Sequence, residues 1–136
     1  MTLTESELRI VYAFLYLIVK HYGRMAKECE EKCSSECTKE LEEETGEECQ
    51  CDATIRLYRA KELWAAILRE NIDERMGIEP DEIERLLSEC RDQMERSDQW
   101  VDSDIAFGSE ARFHKLVSDS GEMFIEKLKR HLQWIA

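Results

Sequence analysis

Apolar side chains along this chain recur at three- and four-residue spacing, and no stretch alternates with the two-residue period of a half-buried strand. Thr4-Glu5-Ser6-Glu7 has the form of a capping box, in which the Thr4 oxygen accepts from the third helical amide and Glu7 reaches back. The helix it opens, over about residues 4–22, is apolar on every side from Leu8 to Val19. Such a helix belongs at the centre of a fold or at a subunit interface. Gly23 is a place for it to bend.

Three further helices are predicted. Asp52 is placed to cap one over about 53–76, with Leu57, Ala60, Trp64, Ile67 and Leu68 as its inner stripe and Gly77 as its stop. Pro80 opens the next, with Asp81 and Glu82 at its positive end. It buries Ile83, Leu86, Leu87, Cys90 and Met94 and frays near Ser97. Ser109 caps the last, over 109–135, carrying Phe113, Val117, Phe124, Leu128, Leu132 and Ile135. Gly121 costs this helix about 1 kcal/mol and marks a break point. The fold class is therefore all-α: one domain over 1–136, an antiparallel bundle of four to five helices. A Cys-rich hairpin over about 24–52 is free to project from it.

Composition narrows the function. With 31 acidic and 19 Lys or Arg side chains the net charge is −12, which repels phosphate backbones and disfavours nucleic acid. Lys127, Lys129, Arg130 and His131 form the one short basic run, and they read as cations placed at a helix end. The apolar run Ile10–Val19 is shorter than the roughly 18–20 residues a membrane span needs. The acids at the N-terminus lack the basic start of a signal peptide, so a soluble cytoplasmic protein is expected. Asparagine occurs once, a thermophile-like trait that bears on whether intracellular thiols are oxidised.

Cys29, Cys33 and Cys37 recur every four residues, and Cys49 and Cys51 follow Gly46. On a helix the trio forms a stripe whose ends are about 12 Å apart, beyond disulfide reach. If the chain doubles back at Gly46, Cys37 meets Cys49 and Cys33 meets Cys51, leaving Cys29 over. Three chemistries stay open. Two disulfides would staple a segment almost devoid of aliphatic side chains. A thiolate site drawn from Cys29, Cys33, Cys37, Cys49 and Cys51 would take zinc or an iron–sulfur cluster. Unmodified thiols would act as small hydrophobes. Cys90, on an apolar helix face, reads as a buried free thiol. His21, His114 and His131 stand in no metal-ligand spacing and read as surface or helix-end residues.

Glu43-Glu44-Thr45-Gly46-Glu47 followed by Glu70-Asn71-Ile72-Asp73 resembles the EExxE…ExxD pattern of the MazG-like all-α nucleotide pyrophosphatases. The resemblance implies that Glu43, Glu44, Glu47, Glu70 and Asp73 hold Mg²⁺ against a nucleotide's phosphates. It covers about thirty residues and departs from the family at Cys49-Gln50-Cys51 and at Glu74-Arg75.

The leading expectation is a non-catalytic intracellular helical interaction or assembly module with a disulfide clamp and no cofactor. A homodimer would cover the apolar first helix, and the acidic hairpin would meet a basic protein. The alternatives are a metal- or Fe–S-binding thiol protein and a Mg²⁺-dependent pyrophosphatase.

Overall fold

A computed structural model describes residues 1–32, 51–102 and 109–135. They form an all-α bundle of four helices: α1 Glu5–Lys32, α2 Cys51–Arg75, α3 Pro80–Asp102 and α4 Ser109–Ile135. Contacts along the helices set their directions. Tyr12 meets Asp73 and Glu30 meets Arg59, so α2 runs antiparallel to α1. Glu7 meets Lys127 and Arg24 meets Glu110, so α4 does the same. Asp98 meets Ser118 and Trp100 meets His114, which sets α3 antiparallel to α4. The starts of α1 and α3 are built as the sequence predicts, whereas Asp52 lies within the first turn of α2, which begins at Cys51, and does not cap it. The Thr4 amide donates to Glu7 Oε1 at 2.9 Å and the Glu7 amide to Thr4 Oγ1 at 3.2 Å, completing the capping box. Pro80 is the first residue of α3.

Helix α1 is central. Val11, Ala13, Phe14, Leu15, Leu17 and Ile18 are all buried, because α2, α3 and α4 each pack against it. One chain thus encloses the apolar helix, and the reason for invoking a second copy there is gone. The helix also runs through Gly23 without ending, ten residues beyond the predicted span.

The predicted inner stripe of α2 is shifted. Leu57, Ala60 and Ile67 are exposed, whereas Ala65, Leu68 and Ile72 face α1. Both faces of this helix carry apolar residues, so periodicity alone does not choose between them. Among the described residues α2 packs along α1, and it reaches α3 through long side chains, such as Arg85 over the Trp64 ring at 4.2 Å.

Helix α3 does not fray at Ser97; it continues to Asp102, with Ser97 wholly buried against α4. Helix α4 passes through Gly121 unbroken. Ile83, Leu86, Leu87, Cys90, Val117, Phe124 and Leu128 are buried as expected. No helix among the described residues is long and apolar enough to cross a membrane.

Residues 1–3 clasp the α2–α3 turn. Thr2 and Gly77 form an isolated antiparallel bridge, the Leu3 amide donates to Met76 O at 3.1 Å, and the Ile78 amide to Met1 O at 2.8 Å. Met76, not Gly77, adopts the left-handed conformation that closes α2, with φ at 58°.

Candidate functional site

Two places on this scaffold gather chemistry. The first is a groove of about 460 Å³ between α1 and α2, lined by Tyr12, Tyr16, Lys20, Arg69, Glu70 and Asp73. These residues meet because α1 and α2 run antiparallel, bringing the start of one beside the end of the other. The Tyr12 hydroxyl donates to Asp73 Oδ1 at 2.8 Å, and the Arg69 guanidinium lies over the Tyr12 ring at 5.7 Å. Burial and this carboxylate partner hold the Tyr12 hydroxyl above its usual range. Glu70 and Asp73 are exposed. The groove therefore offers two acids, two bases and two aromatic rings to solvent.

The second place is a polar layer inside the bundle, where α3 faces α1 and α4. Glu89, Gln93, Ser97 and His114 are all buried, and Glu89, Gln93 and Ser97 lie on one stripe of α3 at i, i+4 and i+8. The Tyr22 hydroxyl donates to Glu89 Oε2 at 2.6 Å, and Lys61 Nζ stands 3.8 Å from Glu89 Oε1. Burial and the Glu89 charge push the Tyr22 hydroxyl far up.

Further along α3 the hydrogen bonds have a direction. Arg96 can only donate, and it does so to Gln93 Oε1 from Nε at 3.1 Å and from Nη2 at 2.7 Å. Gln93 Nε2 then donates to Ser97 Oγ at 3.1 Å. Ser97 Oγ lies 2.9 Å from His114 Nδ1. With the Ser97 hydroxyl donating to Nδ1, the imidazole carries its hydrogen on Nε2. That Nε2 is buried and has no hydrogen-bond partner among the described residues. Trp100 stacks on the same ring, 4.6 Å away and 10° from parallel.

Beside this chain lies a small cleft lined by Leu17, Lys20, His21, Arg24, Gln93, Arg96, Trp100 and His114. Five of these side chains are basic types. Burial, then the Arg96, Arg24 and Lys61 charges, push His21 down to about 4. Burial also lowers Arg96, and it lowers His114 against the opposing pull of Glu110. Arg24 pairs with Glu110, whose carboxyl is held below the usual range by that contact.

The residues singled out in the sequence are only partly placed. Cys33, Cys37, Cys49, Glu43, Glu44 and Glu47 lie outside the described residues, and Cys51 is the first residue of α2. Cys29 is half-buried on α1 and carries no disulfide. Cys90 is a buried free thiol, as expected, and its thiol is pushed well up by burial. Among the described residues no three His, Cys, Asp or Glu side chains gather as a metal site. The histidine expectation is overturned for His114, which is 4% exposed and tied to Ser97. The basic run at the C-terminus is partly neutralised, Lys127 by Glu7 and Lys129 by Glu126. The buried polar chain was missed because Gln93 and Ser97 look like fraying polar residues in a one-dimensional pattern. The available signal was their i, i+4 spacing on the apolar side of α3. The chain matches no protein-family model, no curated protein and no solved structure.

Proposed function

We propose that the protein is a non-catalytic helical interaction module that pairs with a second copy of itself through the outward face of α2. The observation that supports this reading is the exposure of Leu63 and Ile67, at 60% and 48%, one turn apart on the face of α2 opposite the one committed to α1. Large aliphatics left open along one helix face mark a contact surface.

Charge favours a copy of the same chain as occupant. In a protein of net charge −12, α2 is balanced: Arg56, Arg59, Lys61, Arg69 and Arg75 offset Asp52, Glu62, Glu70, Asp73 and Glu74. Two copies meeting here bring together neutral helices rather than acidic ones. An antiparallel pairing centred on Leu63 sets Arg56 of one copy across from Glu70 of the other, the self-complementarity a two-fold interface needs. The thiol clamp over Cys33, Cys37, Cys49 and Cys51 and a basic partner for the acidic hairpin belong to the same reading.

Sedimentation at high micromolar concentration tests it. A dimer is expected, and Leu63→Glu is expected to give a monomer of unchanged helicity. A monomeric parent protein, or a Leu63→Glu dimer, removes the proposal. Intact mass after alkylation under native, oxidising conditions tests the clamp, which six freely alkylated thiols would exclude.

One observation favours a second reading. Glu70 and Asp73, the ExxD half of the pyrophosphatase-like pattern, line the α1–α2 groove together with Tyr12, Tyr16, Lys20 and Arg69. Mg²⁺-dependent nucleotide hydrolysis lost in Asp73→Asn would support it; no hydrolysis in the parent protein ends it.

A further inference from the structure

We infer that the cleft between α1, α3 and α4 is a binding site for a small oxyanion, a carboxylate or an inorganic phosphate. Three independent features of the cleft converge on this chemistry.

The first is charge. Lys20, Arg24 and Arg96 converge with His21 on one recess of a protein whose net charge is −12. No acidic side chain lines the recess itself; the acids that act on its cations stand behind it. Helix α1 brings Lys20 and Arg24, α2 brings Lys61, α3 brings Arg96 with Glu89, Asp92 and Glu95, and α4 brings Glu110. Glu110 answers Arg24, and Glu89 answers Tyr22 and lies near Lys61. Lys20 and Arg96 are left with no ion pair among the described residues. Half-buried Arg96 spends its Nε and Nη2 donors on the neutral oxygen of Gln93. A guanidinium in that position gains most from an anion in reach of its remaining N–H groups.

The second is an orphan donor. The relay from Arg96 through Gln93 and Ser97 ends at His114 Nδ1; with Ser97 donating there, the ring hydrogen sits on Nε2, which is buried and has no partner among the described residues. A buried N–H without an acceptor is costly, and native proteins rarely leave such a group without a purpose. An oxyanion oxygen supplies the missing acceptor.

The third is size. The cleft holds about 40 Å³, room for about three water-sized groups. That admits a carboxylate group, or a phosphate with part of its oxygens left at the mouth, and rejects a nucleotide or a peptide. Trp100, stacked on His114, walls one side.

The experiment uses the whole protein at low ionic strength. Inorganic phosphate and, separately, acetate are titrated while the imidazole ¹H–¹⁵N signals of His21 and His114 are followed. One or both probes should shift both rings saturably, with the His114 signals showing the hydrogen on Nε2 and the His21 titration rising from about 4. Phosphate winning over acetate assigns a phosphate site, and the reverse a carboxylate site. Arg96→Met should weaken binding about tenfold or more. Lys20→Gln, at an exposed position that leaves the core intact, should weaken it about threefold. Lys20→Gln decides the matter if Arg96→Met fails to fold. Absence of a saturable shift with either probe, binding unchanged in Lys20→Gln, or chloride binding as tightly as both oxyanions overturns the inference. None of these outcomes depends on whether the protein dimerises through α2.

Discussion

The ring of Phe14 lies against the backbone of α4 at Gly121, its Cζ 2.7 Å from where a Cβ on that glycine would sit. Phe14 is fully buried and also meets Phe124, with ring centroids 6.0 Å apart. Gly121 is therefore the residue that lets α1 and α4 approach at their most crowded point.

Gly121→Ala should destabilise the protein. In an open helix the change stabilises by about 1 kcal/mol; here a methyl group enters a filled core, at a cost of about 1–3 kcal/mol. A net loss of about 1 kcal/mol is expected in urea unfolding. A gain in stability would show that the Phe14 contact is looser than described.

Tyr22→Phe removes the hydroxyl that donates to Glu89 Oε2 at 2.6 Å. Glu89 is buried, and Lys61, at 3.8 Å, is the nearest remaining cation described. The loss should be about 1.5–3 kcal/mol, the range for a hydrogen bond to a charged group. Double-mutant analysis with Glu89→Gln should show coupling between the two positions.

Met76 closes α2 at φ 58°, a conformation that costs an L side chain about 1–2 kcal/mol. Its side chain is half exposed and gives up little packing. Met76→Gly should stabilise by about 0.5–1 kcal/mol after the extra freedom of the unfolded chain is counted. Met76→Val, branched at Cβ, should destabilise by about 1 kcal/mol or more. Thermal melts of the pair check both signs.

His21 carries a pH dependence. Its folded value lies at about 4 against an ordinary value of 6.5. Between those values the unfolded chain binds the proton and the folded protein does not, so stability falls as the pH is lowered. The contribution is complete above pH 6.5 and is lost toward pH 4. Glu7 and Glu110, whose values lie below the ordinary 4.5, act at lower pH. His21→Gln should flatten the stability profile between pH 6.5 and 4.5, as read by urea unfolding at each pH. An unchanged slope would move the effect to His114.

Local chemistry was enough for much of the fold. The Thr4–Glu7 box, Pro80 at the start of α3 and the buried stripe Ile83–Leu86–Leu87–Cys90 depend on neighbours within a turn or two, and a linear pattern records such neighbours. Three features needed the third dimension. Helix α2 carries apolar residues on two faces, and only the packed neighbour chose Ala65, Leu68 and Ile72 over Leu57 and Ile67. Gly121 reads as a breaker until Phe14 is seen pressed against it from a helix more than a hundred residues away. The Arg96–Gln93–Ser97–His114 chain and the cations around it come from three helices. Their partnership rests on distance and hydrogen-bond direction, which exist only once those helices are packed.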